Sequence, residues 1–121
     1  MMATALTMLA RVTWVLQVGV GILFWTGRAS GAAPVSLHIL IGLVFVLTLW
    51  ALAVLALRTG TSVAFSLTAL VWGLVVLLVG LAQTVLLIGN AHWIIQILHL
   101  LIGIVAIALV ETVARGLRRP A

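Results

Sequence analysis

The sequence predicts an all-α integral membrane protein, an up-down four-helix bundle built from two parallel two-helix repeats. Three observations predict it. Of 121 residues, 66% are hydrophobic and 6% are charged, whereas a soluble domain needs about a quarter charged residues to coat its surface. Four apolar runs are each long enough to cross a bilayer, which takes about 20 residues. A short pattern around a histidine in the second run returns in the fourth.

The elements follow in order. The first span is expected over roughly Leu6–Thr26 and the second over Pro34–Leu57. The third is expected over Val63–Ile88 and the fourth over Ala91–Ala114, all within one membrane domain, residues 1–121. Thr26-Gly27-Arg28-Ala29-Ser30-Gly31 separates the first pair, and Pro34 suits the first turn of a helix. Arg58-Thr59-Gly60-Thr61-Ser62 separates the second and third spans, with Thr61 or Ser62 placed to cap. At Gly89-Asn90 the glycine ends one helix and the asparagine caps the next. Loops this short make neighbouring helices antiparallel. A small β-barrel does not fit, because its strands alternate apolar and polar residues over about ten positions. These runs are longer and apolar on every face.

Charge sets the topology. With four spans, Arg11, Arg58, Arg115, Arg118 and Arg119 share one side and Arg28 stands alone on the other. The positive-inside rule then puts both termini in the cytoplasm, in an inner (plasma) membrane. The first segment also has the look of a signal peptide, with Arg11, an apolar stretch and Ala29-Ser30-Gly31-Ala32-Ala33. Cleavage would leave three spans and break the repeat, so the four-span reading is preferred. Mean hydropathy of +1.49 and a chain this short leave membrane lipid as its main surroundings.

Composition also excludes functions. With no cysteine, thiolate catalysis, Fe–S clusters and Cys-ligated zinc are ruled out. A single acidic residue, Glu111, leaves no carboxylate pair for acid–base work and no Ca²⁺ or Mg²⁺ cage. The net charge of +5 comes from arginines flanking the spans, not from a phosphate-binding stripe, so no nucleic-acid partner is expected. Glu111 is expected to pair with Arg115 at i+4.

The repeat is Leu37-His38-Ile39-Leu40-Ile41-Gly42-Leu43-Val44 against Leu98-His99-Leu100-Leu101-Ile102-Gly103-Ile104-Val105, 61 positions apart. Apolar letters match cheaply here, so the His-x-x-x-Gly frame carries the weight. Two of the chain's three histidines fall in it. Parallel repeats place His38 and His99 on facing helices at similar depth.

Histidine within a span is a functional hypothesis by default, and neutral imidazole is a common ligand for haem iron. In a square bundle the second and fourth helices are diagonal partners, on the order of 12–14 Å apart for neighbours at 8–10 Å. That suits two imidazoles sharing one iron. A bare metal ion would need two further ligands. Gly42 and Gly103, one turn from each histidine, leave room for a flat macrocycle or for close helix packing. His92, Gln96, His99 and Gly103 form one stripe. Trp14, Gln17, Gly21, Phe24 and Arg28 form another, and Gly73, Gly80 and Gln83 or Thr84 a third. Arg28 is placed to neutralise haem propionates. Gln83, Gln96 or Asn90 would fix the imidazole tautomers. Counted from Arg58 and Arg115, His38 and His99 differ in depth by about 6 Å, so His92 stands as an alternative ligand.

With these residues the sequence resembles small membrane b-type cytochromes, four-helix bundles like cytochrome b561 or one half of a haem A synthase. The resemblance implies one haem b held by His38 and His99, with electrons passed to or from a quinone or a redox partner protein. The cytochrome b561 pattern has a second pair of ligands near the other face, which is unmatched here, as is the catalytic acid of a haem A synthase. Two rival readings remain: a cofactor-free accessory or assembly subunit of a larger complex, and a small transporter using Gln17, Gln83, Gln96 and the histidines as a polar path.

Overall fold

The computed structural model describes residues 1–118; Arg119, one of the topology charges, lies outside the described residues. Helices α1 (Met2–Trp25), α2 (Ala32–Arg58), α3 (Val63–Ala82) and α4 (His92–Arg118) follow one another with no strand among the described residues. All four are long and apolar enough to cross a membrane. Their lipid-facing surface is lined by exposed leucine, isoleucine and valine. This is a multi-pass membrane bundle.

Two helices end within the segments the sequence marks as breaks, whereas Gly89, expected to end α3, lies beyond its last residue. After α1, the Arg28 amide bonds the Leu23 carbonyl at 2.9 Å and the Gly27 amide bonds Phe24 at 3.0 Å. After α2, the Thr61 amide bonds Ala56 at 2.9 Å and the Gly60 amide bonds Leu57 at 3.1 Å. Both are Schellman closures, which need a left-handed residue at the turn. Gly27 and Gly60 supply it, each with φ +69°. Ser62 takes the N-cap position of α3 but makes no side-chain capping bond. Thr61 instead turns its hydroxyl back to Thr59 at 2.9 Å.

The third helix corrects the sequence expectation: it stops at Ala82, not Ile88. The Thr84 hydroxyl donates to the Leu81 carbonyl at 2.9 Å, and the Val85 and Leu86 amides both turn back to Ala82. A side chain that bonds the local backbone competes with helix continuation. Leu87 then adopts φ +49°. Apolar letters alone concealed this break. Twenty residues at about 1.5 Å each still give α3 the roughly 30 Å of a hydrocarbon core.

The helices form a rhombus. Each touches its neighbours in the ring, α2 and α4 also touch across the middle, and α1 and α3 do not meet. This replaces the square arrangement. The packed core sits in the half nearer the termini. Val46, Leu49, Leu52, Ala53 and Ala56 of α2 are fully buried there, with Ala106, Val110 and Val113 of α4.

Polar side chains pin the seams. Arg11 of α1 grips Glu111 of α4 through two parallel bonds, Nε to Oε1 and Nη2 to Oε2, each 2.8 Å. The expected Glu111–Arg115 pair is not made. Arg115 points its Nη2 at the Thr112 hydroxyl, 3.4 Å away. An antiparallel neighbour brings Arg11 level with Glu111, and the planar guanidinium can then bind both carboxylate oxygens at once. On the opposite seam, the Trp50 indole of α2 donates to the Leu70 carbonyl of α3 at 3.0 Å and lies against Gly73. Trp72 of α3 donates to Ile102 of α4 at 2.9 Å. Trp72 lies 61 positions after Arg11, and Glu111 lies 61 after Trp50. The two halves therefore use the same positions as clamps, filled with different chemistry.

Candidate functional site

The other half of the bundle is hollow. Beyond Thr13 of α1 and Gly73 of α3, and before Phe45 of α2, no described residue of these three helices is fully shielded, and Ile95 is the one shielded residue in the first turns of α4. A cavity of about 390 Å³ opens there, lined by all four helices. Protein interiors are normally packed to crystal-like density, and a volume of this size lies within the roughly 300–1,000 Å³ of small-molecule sites.

His38 and His99 face each other in this cavity, with ring centroids 6.3 Å apart and planes inclined by 59°. The helix starts remove the depth mismatch counted from the arginines. His38 lies six residues after Ala32, and His99 seven after His92, a difference of about 1.5 Å. The arginine count misled because α4 runs on past Arg115 to Arg118.

Glycines seat both rings. A Cβ at Gly21 of α1 would lie 4.0 Å from His38 Cε1, and one at Gly80 of α3 would lie 3.1 Å from His99 Cε1. Phe24 meets the His38 ring edge-on, with centroids 5.5 Å apart. The two repeat glycines differ. Gly42 is covered by Gln17, whose Nε2 would lie 2.6 Å from an added Cβ, whereas Gly103 faces open space. Gln17 and Gly21 are one turn apart on α1, and Gly42 and His38 one turn apart on α2. Run antiparallel, each long side chain lies over a glycine of the other helix. The sequence placed Gln17 and Gly21 on one stripe, but pairing between helices is not written in either helix alone.

Among the other predicted residues, His92 and Gln96 line the cavity toward its mouth, and Gln83, Thr84 and Gly80 line it from α3. Arg28 is exposed in the loop after α1 and is not part of the lining. Gly73 lies under Trp50, away from the cavity. Gln83, Gln96 and Asn90, expected to orient the imidazoles, do not do so: Nδ1 of His38 and of His99 is buried without a hydrogen-bond partner. Trp14 Nε1 and Gln17 Oε1 are also buried and unpartnered, and both residues line the cavity. Buried polar atoms are normally satisfied, so this concentration marks a polar site within an apolar hollow.

The donor set bears on what the site can hold. Two imidazoles bonded to one iron at about 2 Å each, with the ring radii added, place their centroids roughly 6 Å apart. The observed 6.3 Å fits this, and the open side of Gly103 adds room for a planar group. Among the described residues, no group of three or more His, Cys, Asp or Glu side chains comes together to hold a metal ion. Comparison with protein-family models, with curated proteins and with solved structures found no match to this chain.

Proposed function

We propose that the chain is a bis-histidine membrane b-type cytochrome, or a cytochrome subunit, that carries electrons near the outer face of an inner (plasma) membrane. The observation that carries this reading is the His38–His99 pair, face to face at 6.3 Å across a hollow lined by all four helices. A single haem b held there would supply reversible one-electron transfer.

The chain's own residues divide the work. His38 and His99 would hold the haem iron, and His92, which also lines the cavity, would be the alternative to His99. Gly21 and Gly80 give the imidazoles space, Phe24 restrains the His38 ring, and Gly42 and Gly103 flank the pair one turn further in. Gln96 lines the wall one turn from His99. Arg28 stands at the same end of the bundle, as the cation for propionates. Held by two imidazoles of the chain, the group would supply electron transfer rather than oxygen chemistry. The packed half is filled mainly by leucine, valine and alanine among the described residues, which weighs against the transporter reading. The arginine-rich end is assigned to the cytoplasm by the positive-inside rule. Electron donor and acceptor would be a quinone or a partner protein in a larger complex.

The test is a reduced-minus-oxidised absorption spectrum of the chain purified from cells supplied with haem precursor. The expected result is a sharp b-type α-band that disappears in the His38→Ala, His99→Ala double variant. Absence of the band from the unmodified protein would overturn the reading in favour of a cofactor-free accessory subunit, whose function would survive the double substitution.

A further inference from the structure

We infer that Trp14 and Gln17 form a second polar contact in the cavity, one that takes the oxygen of a neutral, lipid-soluble carbonyl or hydroxyl compound. The inference rests on the cavity and its unsatisfied atoms and does not require iron.

The first argument is a contrast among tryptophans. Trp50 and Trp72 each donate their indole N–H to a carbonyl of the neighbouring helix, at 3.0 and 2.9 Å. Trp14 Nε1 is buried yet has no partner among the described residues, and its residue lines the cavity. An indole nitrogen can only donate, so whatever satisfies it must present an acceptor. Leaving such a donor dry and unmatched is costly, a penalty that Trp50 and Trp72 avoid.

The second argument is Gln17, one turn along the same helix. Its Oε1 is buried and unpartnered among the described residues, and its Nε2 lies over Gly42. Trp14 and Gln17 thus offer two donors and one acceptor within one turn of α1. That set suits a carbonyl, which accepts, and equally a hydroxyl, which accepts from the indole and donates to the amide.

The third argument excludes charge. Trp14 lies eleven residues before the end of α1, about 16 Å into the bundle. Among the described residues no arginine or glutamate lines the cavity, and an unpaired ion at such depth is costly. Most of the remaining wall is apolar, with Phe45, Leu77 and Ile107 among its residues. The ligand is therefore an uncharged, mostly apolar molecule that reaches the site through lipid and is oriented by its oxygen.

The experiment is a ligand-observed NMR titration of the full chain in nanodiscs, with protein-free nanodiscs as the blank. The probes are 2-methyl-1,4-naphthoquinone and 2-methylnaphthalene, which share a ring system and differ in the two carbonyls. The wild-type chain is expected to bind the dicarbonyl more tightly than the hydrocarbon. Trp14→Phe and Gln17→Met should each weaken the dicarbonyl by about tenfold and leave the hydrocarbon unchanged, while Trp50→Phe should alter neither. Equal binding of the dicarbonyl by wild type and both variants, equal loss of both probes, or no binding by the wild type would each overturn the inference. Because the titration reads the probe, a missing haem band would sink the cytochrome reading without touching this result.

Discussion

At the scale of single residues, the glycines differ in whether they face open space or a packed side chain. Gly80 sits against His99, so an added methyl forces the imidazole aside by a few tenths of an ångström. Gly80→Ala should therefore weaken haem retention, measured as the ratio of haem to protein after gel filtration. Gly103 meets nothing within 4 Å, and Gly103→Ala should behave as wild type. Gly103→Phe should fill the hollow and lower haem affinity by about tenfold or more, as overpacking does, with helix content by circular dichroism unchanged. If Gly103→Phe binds haem normally, that face is not part of the site. The histidine pair was legible in the sequence because a polar residue repeated within apolar spans stands out. The unequal settings of Gly42 and Gly103 were not, because they depend on Gln17 of another helix.

At the scale of helices, the seams are held by different chemistry at matching positions. The α1–α4 seam uses Arg11 and Glu111, whose side chains are partly exposed, and removing either partner leaves the other charge without its bidentate contact. Arg11→Ala and Glu111→Ala should each lower thermal stability in detergent, and the double variant should lose clearly less than the two losses combined. Strict additivity would mean that the pair does not couple the helices. Trp50→Phe keeps the ring packing but removes one bond to the Leu70 carbonyl, and should cost about 1 kcal/mol by reversible unfolding. Helix positions were readable from apolar run length, and the ends of α1 and α2 from Gly27 and Gly60. The early end of α3 was not, because Val85-Leu86-Leu87-Ile88 continues the apolar pattern while the backbone turns. Nor was the Glu111 partner, since local spacing favoured Arg115 and only the tertiary register offered Arg11.

At the scale of the molecule, the bundle divides into a packed half near the termini and a hollow half toward the interhelix loops. In membranes, helix association depends largely on close van der Waals packing, so the packed half should carry the stability. Leu49→Ala, at a fully buried position, should cost about 2–5 kcal/mol. His38→Ala, beside existing empty volume, should cost the haem-free protein little. An equal loss at the two positions, followed by denaturant unfolding of haem-free protein, would contradict this division. The two-fold sequence repeat announced the bundle and the facing histidines. It did not announce the hollow, because both halves are equally apolar and only side-chain volumes across four helices decide which one fills.

The central claim is that His38 and His99 together hold one haem iron, and electron paramagnetic resonance of the oxidised protein tests it most directly. The account predicts a low-spin signal in the wild type, conversion to high spin or loss of haem in His38→Ala and in His99→Ala, and an unchanged low-spin signal in His92→Ala. A low-spin signal that survives His99→Ala but is lost in His92→Ala would contradict the assigned pair, and no haem signal in any form would contradict the claim as a whole.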